Sequence, residues 1–223
     1  MSVELLQGCD KDPELRLKKS AFTRNRKLGA VRILHMLLHR LSGSLQLEVD
    51  TYCDTLEETP VSKRAFSQAR ANLNPAFVRR FADGIAEIHA QDPDAPIWNG
   101  MRLIAIDGTD IALENSTERK QAFGCPGSKK DAATALGSLA YGPLAHAIYD
   151  CQIAPYATDE QDLAKLHMSR LLELGLDNSL LLFDRWYPSA EFLHHAMSMG
   201  FSFVMRVRFK CHPLIKNDTT RRT

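Results

Sequence analysis

Between Arg16 and Arg40 the sequence contains no aspartate or glutamate, while Arg16, Lys18, Lys19, Arg24, Arg26, Lys27, Arg32 and Arg40 all fall there. The chain's overall charge of +1 over 223 residues hides this polarity. Such a block is the electrostatic footprint of a phosphate-contacting surface, and equally the pattern of a solvated helix face. The five cysteines (Cys9, Cys53, Cys125, Cys151, Cys211) never occur as CxxC and are odd in number, so neither a disulfide framework nor a zinc finger is indicated. A reducing cytoplasm suits them. No uninterrupted apolar run approaches the roughly 20 residues of a membrane span: the most apolar stretch, Leu28 to Leu41, is broken by Arg32, His35, His39 and Arg40. The N-terminus carries no signal-peptide pattern. Composition, 44% hydrophobic and 25% charged, is that of a globular protein, which sets aside disordered and fibrous classes.

Several familiar chemistries are missing too. His35-Met36-Leu37-Leu38-His39 has the spacing of a zinc-protease helix but Met where the general base belongs. Gly124-Cys125-Pro126-Gly127-Ser128-Lys129-Lys130 fails the spacing of a phosphate loop and reads as a basic surface turn. Gly137-Ser138 sits in no G-x-S-x-G elbow, which argues against a serine hydrolase.

What remains falls into two grammars. Up to about Pro93 the periodicity is helical: Leu28 to Leu41, Leu45 to Leu56, a helix capped by Ser62 and running to Leu73, and Ala76 to His89. On the third, Ala65, Phe66, Ala69 and Leu73 share one side, and Lys63, Ser67 and Arg70 the other. Asp92-Pro93-Asp94-Ala95-Pro96 reads as a linker, giving a helical unit over 1–93 and a second unit over 97–223. In the second unit strands predominate. Arg102 to Ile106 reads as a short strand bounded by Gly100 and Gly108, and Ala133 to Tyr141 with Leu144 to Ile153 as a hairpin around Gly142-Pro143. Thr158 and Gln161 suggest a capping box opening a helix with a stripe of Leu163, Leu166, Leu171 and Leu174 that ends at Gly175. A strand from Leu180 to Phe183, a helix opened by Pro188 and running through Met199, and a strand from Phe201 to Val207 complete an α/β plan, antiparallel first and crossover-linked later.

Two of these strands end in aspartate: Ile104-Ala105-Ile106-Asp107 and Leu181-Leu182-Phe183-Asp184. Carboxylates after buried strands lie at the sheet edge where α/β folds bind ligands, and two brought together repel unless a cation lies between them. Mg²⁺ or Mn²⁺, hard and oxygen-seeking, is the natural choice, and a pair of such ions supports displacement at a phosphodiester. Helix capping or a turn is the plainer fate of either Asp.

Ile106-Asp107-Gly108-Thr109 and Phe183-Asp184-Arg185-Trp186-Tyr187-Pro188-Ser189 resemble the first and second catalytic motifs of DDE transposases of the IS-four group, roughly D-G-T and D-R-G-Y-P. Phe22-Thr23-Arg24-Asn25-Arg26-Lys27-Leu28, Ser62-Lys63-Arg64-Ala65-Phe66-Ser67-Gln68-Ala69-Arg70 and Ala157-Thr158-Asp159-Glu160-Gln161-Asp162-Leu163-Ala164 are similar to further segments of that family, in the same order. The resemblance implies a ribonuclease-H-like mixed sheet behind a small all-helical DNA-binding domain, with Asp107 and Asp184 as catalytic ligands of Mg²⁺ or Mn²⁺ and Asp110 as a rival to Asp107. It implies double-stranded DNA at insertion-sequence ends as partner, contacted by Arg24, Arg26, Lys27, Lys63, Arg64, Arg70, Lys129, Lys130 and Arg185, with a homodimer or full-length transposase as a further partner. Trp186 stands where the family has Gly, and the family's third motif with its glutamate would lie beyond Thr223. The expectation is therefore a transposase sheet incomplete at its C-terminus, catalytic in family but short of one carboxylate; the alternative is a non-catalytic DNA-binding inhibitor of the full-length enzyme.

Overall fold

The computed structural model describes residues 9, 12–23, 27–38, 44–127 and 131–207. Two compact units divide between Ile85 and Ala86.

The first unit is helical: after a 3-10 turn at Pro13–Leu15 come α1 (Ala30–Leu38), α2 (Leu45–Thr55), α3 (Lys63–Arg70) and the start of α4 (Pro75–Ala90). Local chemistry sets the ends. Ser44 and Ser62 Oγ accept from the backbone N–H groups of Leu47 and Ala65, satisfying one otherwise orphaned donor in each first turn, and Pro75 occupies the first turn of α4, where its missing N–H costs nothing. The apolar face expected on α3 is the one that packs: Phe66 is buried with Leu15, Ile33, Tyr52 and Phe77 in one core. Arg32, part of the uninterrupted basic block, is turned inward. Its guanidinium donates to the carbonyls of Lys27 (2.6 Å) and Thr59 (2.9 Å) and pairs with Glu58 at 3.5 Å, so this cation ties loops together.

The second unit is built on a five-stranded sheet formed by β1 (Arg102–Ala112), β2 (Thr134–Gly142), β3 (Ala147–Pro155), β4 (Ser179–Phe183) and β5 (Ser202–Met205), in the order β3-β2-β1-β4-β5. Strands β1, β2 and β3 are antiparallel; β4 runs parallel to β1 and β5 parallel to β4. The parallel pairs need crossovers, supplied by α6 (Glu160–Glu173) between β3 and β4 and α7 (Ala190–Ser198) between β4 and β5. This mixed order is the ribonuclease-H-like topology expected from the sequence. Ile104, Ile106, Leu181 and Phe183 share a core with Met168 and Leu171 of α6 and Phe192 and Ala196 of α7. Arg102 fastens the base of β1: its guanidinium donates to the carbonyls of His89 (2.9 Å), Ala90 (3.0 Å) and Asp92 (2.7 Å), which closes the C-terminus of α4.

Several local expectations are corrected. Strand β1 does not stop before Gly108 but continues to Ala112, because β2 pairs with it from Ala105 opposite Tyr141 to Ala112 opposite Thr134. A short helix, α5 (Thr117–Phe123) capped by Ser116, follows β1 and was not foreseen. The N-cap of α6 is Asp159, whose Oδ1 accepts from Gln161 N at 2.9 Å, and the Gln161 side chain instead accepts from Ser189 Oγ, so the capping box does not form. Leu166 is 53% exposed; the buried face of α6 is Leu163, Ala164, His167, Met168 and Leu171. Helix α7 is capped by Ser189, one residue after Pro188.

Candidate active site

The parallel pairing of β1 with β4 ends at Ile106 opposite Phe183, so Asp107 and Asp184 are the next residues on two adjacent strands. Both side chains are exposed. Each carboxylate is folded onto the chain that follows it: Gly108 N donates to Asp107 Oδ1 at 3.0 Å, and Arg185 N donates to Asp184 Oδ1. Asp107 is held from behind as well. Ser138 on β2 donates from Oγ to the Asp107 carbonyl (3.3 Å), His167 Nε2 lies 3.0 Å from the same hydroxyl, and His167 Nδ1 donates to Asp150 Oδ2 at 2.7 Å. Ser138, His167 and Asp150 are all buried. The order serine, histidine, aspartate matches a hydrolase triad in composition only. The hydroxyl is spent on a strand carbonyl and out of reach of solvent, so the chain of bonds supports the backbone under Asp107 and is no nucleophile.

A third carboxylate, missed from sequence, faces the same place. Glu160 opens α6, and a Cβ placed on Gly108 would sit 2.9 Å from Glu160 Cδ and 3.2 Å from Oε1, so its carboxyl lies against the residue that follows Asp107. A side chain at 108 would oblige the flexible Glu160 carboxyl to move aside. Partial burial raises the Glu160 pKa above its ordinary 4.5, and the negative charge of Asp107 raises it further, with smaller contributions from Asp110 and Asp159. Tyr187 closes the cluster. It is 1% exposed, and its hydroxyl faces the Glu160 carboxyl, an interaction that favours the ionised form of Glu160 and the neutral form of Tyr187. Burial chiefly, then the charges of Glu160, Asp107 and Asp184, drives its pKa far upward. Asp110 lies on β1 beyond the last residue that pairs with β4, and its influence on Glu160 is weaker than that of Asp107. In the sequence Glu160 stood only within the family-like segment from Ala157 to Ala164; its approach to Asp107 depends on where the link between β3 and α6 returns the chain.

Carboxylate oxygens are the donors that Mg²⁺ and Mn²⁺ prefer. Among the described residues no three His, Cys, Asp or Glu side chains converge on one point as they stand.

Of the residues expected to touch DNA, Arg24, Arg26, Lys129 and Lys130 lie outside the described residues. Lys27, Lys63, Arg64 and Arg70 are exposed in the helical unit. Lys63, Arg64 and Arg70 form no ion pair among the described residues, and Arg70 rests over the Phe66 ring at 5.9 Å. Helix α3 thus carries an exposed cationic edge alongside its buried Phe66. An open groove of about 1020 Å³ is lined by Phe22, Thr23, Lys27 and Leu28 on one side and Pro60, Ala65, Gln68 and Ala69 on the other, which brings two widely separated segments of the sequence together. Arg185 is exposed beside Asp184, its guanidinium 5.9 Å from the centre of the Trp186 ring, with Trp186 63% exposed.

A mixed sheet with carboxylates at the ends of adjacent parallel strands defines an α/β protein of the ribonuclease-H-like class. Residues 98–223 match the family model described as "Transposase DDE domain", and the chain belongs to that family. It is 24% identical over 207 residues to "Putative transposase InsZ" of Escherichia coli (strain K12), an alignment that covers 86% of this chain and 64% of InsZ. The chain thus spans less than two thirds of that relative's length. Looser likenesses are to a piggyBac transposase synaptic complex with hairpin DNA (12% identity, TM-score 0.47, 99% of this chain and 52% of that one) and to a Mos1 transposase paired-end complex (12% identity, TM-score 0.35, 86% and 63%). Among the described residues no helix is long and apolar enough to cross a membrane.

Proposed function

We propose that this chain is the DNA-binding and catalytic portion of an insertion-sequence transposase acting in the cytoplasm, with Asp107 and Asp184 as ligands of a divalent cation, Mg²⁺ or Mn²⁺. The observation that carries the reading is the parallel register, which makes Asp107 and Asp184 neighbours despite their separation in sequence. Two adjacent carboxylates supply hard oxygen donors and the negative charge such an ion needs; the ion, when bound, activates a water or 3′-hydroxyl and stabilises the leaving oxygen of a phosphodiester. Arg185, beside Asp184, offers a planar guanidinium to a phosphate of the cut strand. The helical unit would grip the element end through Lys27, Lys63, Arg64 and Arg70, with Arg24 and Arg26 contributing from the neighbouring segment, while Lys129 and Lys130 would touch backbone phosphates beside the catalytic sheet. Strand cleavage and transfer is chemistry of position and electrostatics, which is why the buried support under Asp107 matters. Synapsis of two ends would be met by a homodimer or by partnership with a longer transposase.

The test is incubation of the chain with supercoiled DNA carrying the element ends and Mn²⁺. Nicking at the ends that disappears in Asp184→Asn supports the reading. Binding of the ends without nicking in any metal would assign the chain the second reading, a non-catalytic DNA-binding inhibitor of the full-length enzyme.

A further inference from the structure

We infer that Trp186, on the turn between β4 and α7, is a stacking platform for an unpaired base, so that the DNA taken here is an element end with a frayed or single-stranded nucleotide at the cut. The inference rests on the DNA-binding reading above and narrows its substrate; it does not depend on a bound metal. Trp186 is 63% exposed, the more exposed of the chain's two tryptophans, and stands two residues after Asp184 at the end of the sheet where β1 and β4 finish side by side. The ring is displayed on a firm base. Tyr187 N donates to the Asp184 carbonyl at 3.3 Å, which closes the turn, and the Tyr187 ring is buried against Phe183 and Phe192 at centroid distances of 5.2 and 5.6 Å. Ser189 holds the far side: its hydroxyl accepts from Phe192 N at 3.1 Å and donates to Gln161 Oε1 at 2.9 Å. The backbone that carries Trp186 is thus anchored on both sides, and little order is left to lose when a ligand covers the ring.

Charge selects the occupant. Apolar protein partners settle on contiguous apolar patches, whereas the two residues before Trp186, Asp184 and Arg185, are exposed and charged. An indole beside a guanidinium suits nucleic acid: the ring offers its face to a base, and the cation offers its planar donors to a phosphate of the same strand. The Arg185 guanidinium lies 5.9 Å from the centre of the Trp186 ring and forms no ion pair among the described residues, so it is available to a phosphate. A base inside a duplex has both faces covered by its neighbours; only a base out of the stack presents one to the indole. A nucleotide stacked there lies on the turn that Asp184 opens, beside the end of β4.

The test is binding of the whole chain, in chelator and without turnover, to a single-stranded thymidine oligonucleotide, to an element-end duplex with an unpaired base at the cut, and to the same duplex fully paired. In Trp98→Phe the only tryptophan is Trp186, and stacking on a base quenches its fluorescence. The single strand and the duplex with the unpaired base should quench it, and the paired duplex much less. Trp186→Ala should weaken binding of both unpaired probes about tenfold, within the range of one base–aromatic stack, and leave the paired duplex bound as before; Trp186→Phe should recover most of the loss. If Trp186→Ala binds the unpaired probes as wild type does, or Trp186 is not quenched by them, the stacking role is wrong, while binding of the paired duplex keeps the DNA reading. If wild type binds none of the probes at low salt, the DNA reading falls and this inference with it. Should Trp186→Ala lose the folded circular-dichroism spectrum, the quenching of Trp186 in Trp98→Phe decides.

Discussion

Removing His167 tests the structural support of the site. The imidazole is fully buried and bonded on both sides, 2.7 Å from Asp150 Oδ2 and 3.0 Å from Ser138 Oγ, and the side chains of both His167 and Asp150 are 0% exposed. In His167→Ala the Asp150 carboxylate keeps the Gln152 amide at 2.8 Å but loses its imidazole partner, and a cavity opens under β2. Deleting a large, fully buried side chain leaves a cavity and unpaired polar groups that together cost about 3–5 kcal/mol, a large share of the roughly 5–15 kcal/mol that holds a domain folded. With a urea slope of about 2–3 kcal/mol/M the midpoint should fall by about 1–2 M. Tryptophan fluorescence reads the right unit, since the chain's two tryptophans, Trp98 and Trp186, both lie in residues 86–223. Replacing Asp150 as well should cost less than the sum of the two single changes, because the second removes the buried polar group that the first left without its imidazole partner. A loss under about 1 kcal/mol for His167→Ala, the range of a solvent-exposed pair, would show that the chain of bonds beneath Asp107 contributes nothing of note.

Reversing charge at Lys63 and Arg70 together should weaken binding to element-end DNA and reduce the log-log salt slope by about 1.8, at 0.9 per phosphate contact; a filter-binding salt series that leaves the slope unchanged removes α3 from the interface. Arg102→Ala, which deprives three carbonyls of a charged donor, should cost about 2–3 kcal/mol in the same urea experiment, and a neutral result would mean that water replaces the guanidinium freely. Glu160 titrates above its ordinary 4.5 in the folded chain, so the folded state holds this proton more tightly than the unfolded state does. Its contribution to stability is present at low pH and lost as pH rises from 4.5 through the elevated value. Metal-free Glu160→Gln should therefore gain in melting temperature relative to wild type as pH increases over that window; parallel curves would contradict the electrostatic reading of Glu160.

The hydrophobic runs Ile104 to Ile106 and Leu181 to Phe183 were legible as buried strands, and with them the two terminal aspartates, because short apolar runs bounded by turn residues admit few alternatives. The burial on α3 was legible for the same reason: Phe66 and Leu73 are buried, Lys63 and Arg70 exposed. What escaped depended on pairing between distant segments. Gly108 looked like a stop for β1, yet β2 carries the strand on to Ala112, since a glycine in a paired strand marks close approach as readily as an end. The cap of α6 moved from Thr158 to Asp159 because Gln161 is drawn to Ser189 on the next crossover, a contact 28 residues away. His167 and Ser138 carried no local motif; only α6 lying across β2 and β3 brings them to Asp150 and to the Asp107 carbonyl. Glu160 is of the same kind: its place in the segment from Ala157 to Ala164 says nothing of Gly108, which only the fold brings against it.

Affinity cleavage tests the central claim most directly. With Fe²⁺ in place of Mg²⁺, ascorbate and peroxide generate hydroxyl radicals at the bound ion, and peptide mass spectrometry locates the backbone cuts. The account predicts two clusters of cuts, one around Ile106 to Gly108 and one around Asp184 to Trp186, both suppressed by excess Mg²⁺ and both lost in Asp107→Asn. Cuts at one aspartate without the other, or a pattern that Asp107→Asn leaves intact, would contradict a shared metal site at the ends of β1 and β4.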